Sequence, residues 1–408
     1  GVALAGPPGK TPTPSMPGSI LQAAGLDPTI VVGGRVRPMG TNARLGEGEL
    51  LVAEADEFDR SFLRLRPVVA VVNNIDLEHL DTYRDLADLK AAFTQFASTV
   101  PFFGAALLGL DDPNVQEIRP ALSTRVRVVT FGLTPQADVT ARDLSLDRGG
   151  SRFTAIASGE VLGTLEVSLP GLHNVKNALA AIAVSRELEV PFEACAKALG
   201  SFAGVARRFE RKGERSGVLV VDDYAHHPTE VAATLGAARQ AHPERRLVVV
   251  FQPHLFTRTR DQAEGFGAAL LAADVVYVLP VYPSREAPIP GVTSRLVSDA
   301  ARSRGHRNVA DLDDRTAAVA RLEAELKDGD LLVTMGAGDV NRVGEELLAA
   351  GGAAGAARSR ARGRPPRRGR RGGGGRRAGS SSASPCSSCS SGARRQPGRR
   401  STSTRSSS

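Results

Sequence analysis

Short runs that are apolar at almost every position recur along this chain, separated by stretches of helical periodicity. ELLVAEAD, VVAVVNNID, GAALLGLDD and RVRVVTFG come early, and GVLVVDDYA, RRLVVVFQPH, DVVYVLPVY and DLLVTMGAG follow Gly217. A strand that is apolar on both faces needs cover on both, and helical stretches at residues 86–98, 177–188 and 228–241 are spaced to supply it. The pattern predicts an α/β fold built on mostly parallel sheets. Residues 138–168 break the rhythm: SRFTAIAS and GTLEVSL alternate as antiparallel strands do, so a β-rich edge is expected beside the first sheet. A boundary is expected at GSFAGVARRFE, where a helical segment ends and a new strand–helix series begins.

With 408 residues, 41% of them hydrophobic, the chain has room for two or three domains. Its formal charge of +8 suggests a nucleic-acid partner until the charge is located. Residues 351–408 hold 15 Arg and no acidic residue, leaving 37 basic against 44 acidic residues before them. The body is mildly acidic, so no nucleic-acid partner is expected beyond nonspecific binding by the tail. That Gly/Arg/Ser tail has almost no large apolar residue and is expected to stay disordered. It lacks the aromatic residues of an RNA-binding arm, and such composition also arises when a GC-rich gene is read out of frame.

Cys195 is the single cysteine of the body, which fits a reducing compartment, and the tail pair Cys386/Cys389 has no second pair or histidine to complete a zinc site. No apolar run reaches membrane-spanning length, and a cytoplasmic protein is expected. GVALAG at the start reads as a strand already under way, which suggests further sequence upstream.

The chemistry-bearing residues cluster at the ends of the apolar runs. GPPGKT (Gly6, Gly9, Lys10, Thr11) follows the first run and has the form of a phosphate loop, a weak signal when alone. In such a loop Lys10 reaches the β- and γ-phosphates and the Thr11 hydroxyl holds Mg²⁺. Two later runs end in carboxylates and histidine: Glu54, Asp56, Glu57 and Asp59, then Asn74, Asp76, Glu78, His79 and Asp81. Strand ends of this kind sit where open α/β sheets bind ligands, and hard oxygen donors beside a phosphate loop suit a Mg²⁺–nucleotide site. The bland alternative is a solvated acidic loop. GLHNVKNALAAIAV starts a helix with His173, Asn174 and Asn177, as caps or as purine contacts. DDYAHHPTE places Asp222, Asp223, Tyr224, His226 and His227 before a helix start, and FQPHLFTRTR places His254, Arg258 and Arg260 after another strand, a cluster suited to anions.

Taken in order, GPPGKT, GTNARLG, AEADE, NIDLEHLD, HNVKNALAA, RRFE, DDYAHHPTE, FQPHLFTRTR and TMGAGDV resemble the motifs of the cytoplasmic Mur ligases over residues 1 to about 350. Members of that family have three domains, and this chain resembles the second and third. The resemblance implies a central ATP-binding domain at 1–204, with the UDP-binding domain in front of it absent, a Rossmann-like domain at 205–350, and the tail at 351–408. It implies ligation of L-alanine to UDP-N-acetylmuramate in peptidoglycan precursor synthesis, with ATP and Mg²⁺ (or Mn²⁺). The substrate carboxylate attacks the γ-phosphate to give an acyl phosphate, and the amine then displaces phosphate. Each step gathers negative charge, so cations and positioned donors dominate.

By matching position, the resemblance assigns Lys10, His226 and Arg258 to catalysis and Thr11, Glu54 and His79 to the metal. Gly6, Gly9, Lys10, Thr11, His173, Asn174, Asn177 and Arg208 go to the nucleotide, and Asn42, Arg44, His226 and Arg258 to the substrates. A monomer or weak homodimer is implied, with no membrane partner. A ligase that recycles tripeptide onto the same UDP-sugar, and a catalytically inactive nucleotide-sugar binder, are the alternatives. Relatives carry threonine and histidine where this chain has Pro7 and Pro8, threonine at positions 12, 14 and 73, and serine at 58. Two phosphate-loop N–H donors are therefore missing, and Pro14 and Pro17 are expected to fray the helix behind the loop, at about 3 kcal/mol for an interior proline, and to weaken ATP binding.

Overall fold

The computed structural model describes residues 1–6, 12–37, 39–77 and 82–350. The phosphate-loop residues Gly9, Lys10 and Thr11, together with His79 and the tail, lie outside the described residues. Among the described residues the apolar runs form the strands of two sheets.

The first sheet contains β1 (Val2–Ala5), β2 (Thr29–Val36), β3 (Thr41–Arg44), β4 (Leu51–Glu54), β5 (Val69–Val72), β6 (Ala105–Gly109), β7 (Val128–Phe131), β8 (Val139–Asp147), β9 (Gly150–Ala157) and β10 (Glu160–Val167). Their order is β10-β9-β8-β7-β6-β5-β1-β4-β2-β3. Strands β2 and β4 to β8 run parallel to β1, while β3, β9 and β10 pair antiparallel at the two edges, β8 to β10 forming the expected β-rich edge. Helices α1 (Pro12–Ala23), α4 (Leu172–Glu187) and α5 (Phe192–Gly200) cover one face, and α2 (Leu86–Ala97) and α3 (Pro113–Ile118) the other. Alternation along β1 shows why the strand reads as apolar throughout: Val2 and Leu4 pack with Met16 and Ile20 of α1, while Ala3 and Ala5 pack on the side of Phe62, Phe93 and Phe96.

The second sheet, β11 (Glu210–Arg215), β12 (Val218–Asp223), β13 (Arg246–Phe251), β14 (Val275–Val278), β15 (Val309–Asp311) and β16 (Asp330–Met335), has the order β11-β12-β16-β13-β14-β15, and only β11 is antiparallel. Leu219 and Val221 pack on the side of α6 (Pro228–Ala241), α7 (Phe256–Leu270) and α8 (Arg295–Ser303), and Val218 and Val220 on the side of α9 (Arg315–Glu325). Two covered sheets in one α/β chain are the architecture the sequence pattern predicts.

The expected fraying of the helix behind the phosphate loop is corrected. Helix α1 begins at Pro12 and continues through Pro14 and Pro17 to Ala23, with Pro12 to Gly18 all buried. Pro12 and Pro14 fall among the first four residues, whose N–H groups have no partner within a helix in any case. Only Pro17 deletes an intrahelical bond. The Thr13 hydroxyl also donates to Asn177 Oδ1 at 2.9 Å, tying the first turn to α4.

Candidate active site

Both sheets present the C-terminal ends of their parallel strands to one cleft. In the first sheet, β1 is the switch point: β4 and β2 continue on one side of it, β5 to β7 on the other, and ligands of open α/β sheets bind outside such a point. The backbone at Gly6 has a φ of +117°, and a Cβ there would stand 2.4 Å from the Asn74 carbonyl, so glycine is required where the loop leaves β1 past the end of β5. Glu54, the last residue of β4, accepts from the Gly33 N–H. A Cβ on Gly33 would lie 2.8 Å from Glu54 Oε1, so the carboxylate packs directly on the glycine backbone and leaves no room for a side chain there.

In the second sheet, the end of β12 and the loop leaving β16 are knotted together by Arg207. Its Nε donates to Asp222 Oδ2 (3.0 Å), Nη1 to the Gly338 carbonyl (3.0 Å) and Nη2 to the Gly336 carbonyl (2.7 Å). Arg207 and Phe209 both have left-handed backbones, φ 59° and 46°, held by this knot and by Asp223, which accepts from the N–H groups of Phe209 (2.7 Å) and Ala225 (2.8 Å). Burial pushes the Asp223 carboxyl up to about 6, against the pull of Arg208. Arg208 is thereby aimed at Glu230 in the first turn of α6, at 3.0 Å. The other Glu230 oxygen accepts from the His226 backbone N–H at 3.0 Å and lies 3.1 Å from its Nδ1. Burial works against ionisation of Glu230, but His226 and Arg208 outweigh it and hold this carboxyl well below the usual range.

After β13, His254 stacks on Tyr282, with ring centroids 5.9 Å apart, and Arg258, in the first turn of α7, has Nη1 3.4 Å from His254 Nδ1. Burial, reinforced by His226 and Arg258, pushes the His254 imidazole down to about 4, so it is neutral at pH 7. Leu255 between them has a φ of +68°.

A cleft of about 760 Å³ is lined by Glu54, Asp56 and Phe58 from the first sheet's lobe and by Arg208, His226, His254 and Arg258 from the second's. At its inner end a cavity of about 50 Å³ is lined by Pro12, His173, Asn174, Asn177 and Arg208. Burial, with Arg208 next in weight, pushes the His173 imidazole down to about 4. Asn174 Nδ2 donates to the Pro170 carbonyl at 2.8 Å, and Asn177 Oδ1 accepts from Thr13 and from Asn73 Nδ2 (3.2 Å). The lobes meet where Thr229 Oγ1 donates to Asp76 and where Arg37 pairs with Glu210 at 2.6 Å.

The structure thus brings Glu54, Arg208, His226 and Arg258 to one cleft and His173, Asn174 and Asn177 to its inner cavity. Gly6 stands at the end of β1. Asn42 and Arg44 do not line the cleft: both lie on β3, where Arg44 pairs with Asp27. Among the described residues no group of three His, Cys, Asp or Glu is arranged around a metal position. The sequence reading did not assign roles to Glu230, Asp223 and Arg207. Their signals were a strand-end Asp pair and a Glu four residues after a His at a helix start, patterns equally common in plain caps.

Residues 4–185 match the family model for the Mur ligase middle domain, and residues 207–338 the model for the Mur ligase glutamate ligase domain. The UDP-N-acetylmuramate–L-alanine ligase of Salinibacter ruber is 50% identical over 345 residues, covering 85% of this chain and 72% of that protein. Its counterpart in Sorangium cellulosum is 50% identical over 343 residues, covering 84% and 73%. The crystal structure of the UDP-N-acetylmuramate-alanine ligase MurC from Thermotoga maritima superposes with a TM-score of 0.70 at 26% identity, over 86% of this chain and 75% of that one. A murein peptide ligase from Psychrobacter arcticus shares the fold, with a TM-score of 0.62 at 24% identity over 86% and 77%. Two matched domains in the expected order, together with identity near 50% over most of both chains, establish that the chain belongs to the Mur ligase family.

Proposed function

We propose that this chain joins L-alanine to the lactyl carboxylate of UDP-N-acetylmuramate with cleavage of ATP to ADP and phosphate, in peptidoglycan precursor synthesis. As a Mur ligase it is an ATP-dependent ligase that forms a C–N bond. The observation that carries the reading is the convergence of Glu54 from one lobe with Arg208, His226 and Arg258 from the other on a single cleft. A carboxylate oxygen of the sugar attacks the γ-phosphorus and ADP leaves; the amine of L-alanine then attacks the acyl carbon and phosphate leaves. Both transition states spread negative charge over oxygens, which two guanidiniums in a partly desolvated cleft stabilise strongly. Arg208 is assigned to the nucleotide phosphates, Arg258 and His226 to the acyl-phosphate and amino-acid end, and Lys10 to the transferred phosphoryl group.

The adenine side is assigned to the inner cavity of His173, Asn174 and Asn177, and the sugar side to Asn42 and Arg44, on the strand bordering the β2 residues that line the cleft. The residues present suit a divalent ion: Glu54 is a strand-end carboxylate that lines the cleft, and Mg²⁺ prefers such hard-oxygen donors. Glu54, with Thr11 and His79, would hold Mg²⁺ or Mn²⁺, which would neutralise charge on the triphosphate. The tripeptide-recycling alternative is not favoured, because relatives near 50% identity are named for L-alanine ligation and the murein peptide ligase shares the fold at 24%. No helix among the described residues is long and apolar enough to cross a membrane, and we read the chain as a cytoplasmic monomer or weak homodimer. Phosphate release measured with ATP, Mg²⁺, UDP-N-acetylmuramate and L-alanine tests the reading. Release that requires both acceptor substrates supports it, and release indifferent to L-alanine, or none at all, overturns it.

A further inference from the structure

Phe58 and Arg285 face each other across the mouth of the cleft. Phe58 lies in the loop after β4 and Arg285 in the segment after β14, and the guanidinium carbon stands 4.5 Å from the ring centroid. Both residues line the cleft, Phe58 half-buried and Arg285 exposed. Each partner is presented by a fixed segment. On the first lobe the Phe58 N–H donates to Asp56 Oδ1 at 3.1 Å, and Arg60, at φ 60°, stacks over Tyr83 at 4.5 Å. On the second, Glu286 accepts from the Thr257 N–H at 3.0 Å, and the Tyr282 N–H donates to the Pro253 carbonyl at 2.8 Å. The segment carrying Arg285 is therefore strapped to the wall that bears His254 and Arg258. A guanidinium over an aromatic face is directional, so parting the lobes must break this contact.

We propose that Phe58 is a positioning residue for the ligation: its ring captures Arg285 and holds residues 282–286, with His254 and Arg258 behind them, against the lobe that carries the phosphate loop before substrates bind. The kinetic part of this proposal rests on the ligase reading, while the contact itself is measurable without turnover. A ligand that needs the closed arrangement binds more weakly in proportion as that arrangement is depopulated.

The test is hydrogen exchange by mass spectrometry on the full chain without ligands, paired with steady-state kinetics. Phe58→Leu keeps apolar bulk but has no aromatic face, Phe58→Trp restores one, and Arg285→Ala alters only an exposed side chain, so folding is preserved. Exchange at 282–286 is expected to rise in Phe58→Leu and Arg285→Ala and to return in Phe58→Trp. KM for ATP and for L-alanine is expected to rise about five-fold in the first two, with kcat falling less, and the double variant to be no worse than either single. Unchanged exchange at 282–286 in Phe58→Leu, or single effects that multiply in the double variant, would overturn the proposal. Exchange that behaves as stated in a chain with no turnover would sink the ligase reading alone.

Discussion

Glu230 is the residue on which the second lobe's contribution turns, and Glu230→Gln isolates it. The substitution keeps the volume and one acceptor oxygen but removes the charge that faces Arg208 at 3.0 Å and the His226 N–H at 3.0 Å. The Arg208 and Glu230 side chains are only 18% and 8% exposed. Breaking such a buried pair by removing one partner typically costs about 3–5 kcal/mol. Asp223 and Glu54 also act on Arg208, which reduces the expected loss to about 2–3 kcal/mol. The pH dependence follows from the same charge. Glu230 titrates lower in the folded chain than its ordinary 4.5, so its contribution is complete above that value and is lost as pH falls through the lower folded one. The stability gap between wild type and variant, read from urea midpoints at pH 7, 5 and 4, is therefore expected to narrow on acidification. Activity should fall further than stability, because a displacement of His226 and Arg208 by about 1 Å can reduce the rate about 100-fold. A variant with wild-type urea midpoint at pH 7, or a gap that widens below pH 5, would refute this account of the Arg208–Glu230–His226 cluster.

Three further outcomes are expected. His254→Gln should flatten the fall of stability between pH 6.5 and 4 seen by thermal melts. His254 titrates near 4 when folded against 6.5 when unfolded, so its contribution is present above 6.5 and lost on acidification through 4; an unchanged slope counts against its burial. Gly33→Ala places a methyl 2.8 Å from Glu54 Oε1 and should raise the Mg²⁺ concentration at half-maximal phosphate release several-fold while leaving the melting temperature within a few degrees; an unchanged Mg²⁺ midpoint argues against Glu54 as a ligand. Deleting residues 351–408 should abolish any salt-sensitive RNA retention on a filter, and retention by the shortened chain would contradict the placement of the positive charge in the tail.

The sequence determined the layers of this fold because burial on both faces leaves a local mark. Runs such as VVAVV and GVLVV are apolar at consecutive positions, and α6 spans the residues 228–241 that its pattern marks, since Pro at its first position and an apolar stripe are short-range signals. The motif residues at strand ends were legible for the same reason: a parallel strand fixes which end its loop leaves from. Three things belong to the tertiary structure. One is the helix with prolines at 12, 14 and 17, where position in the first turn and full burial decide a question that propensity alone answers wrongly. Another is the buried charge cluster: His226 is a local neighbour of Glu230, but the approach of Arg208 and the desolvation that raises Asp223 come only from packing. The last is the meeting of Phe58 with Arg285, 227 positions apart, which arises only when two separately covered sheets turn the same ends toward one cleft.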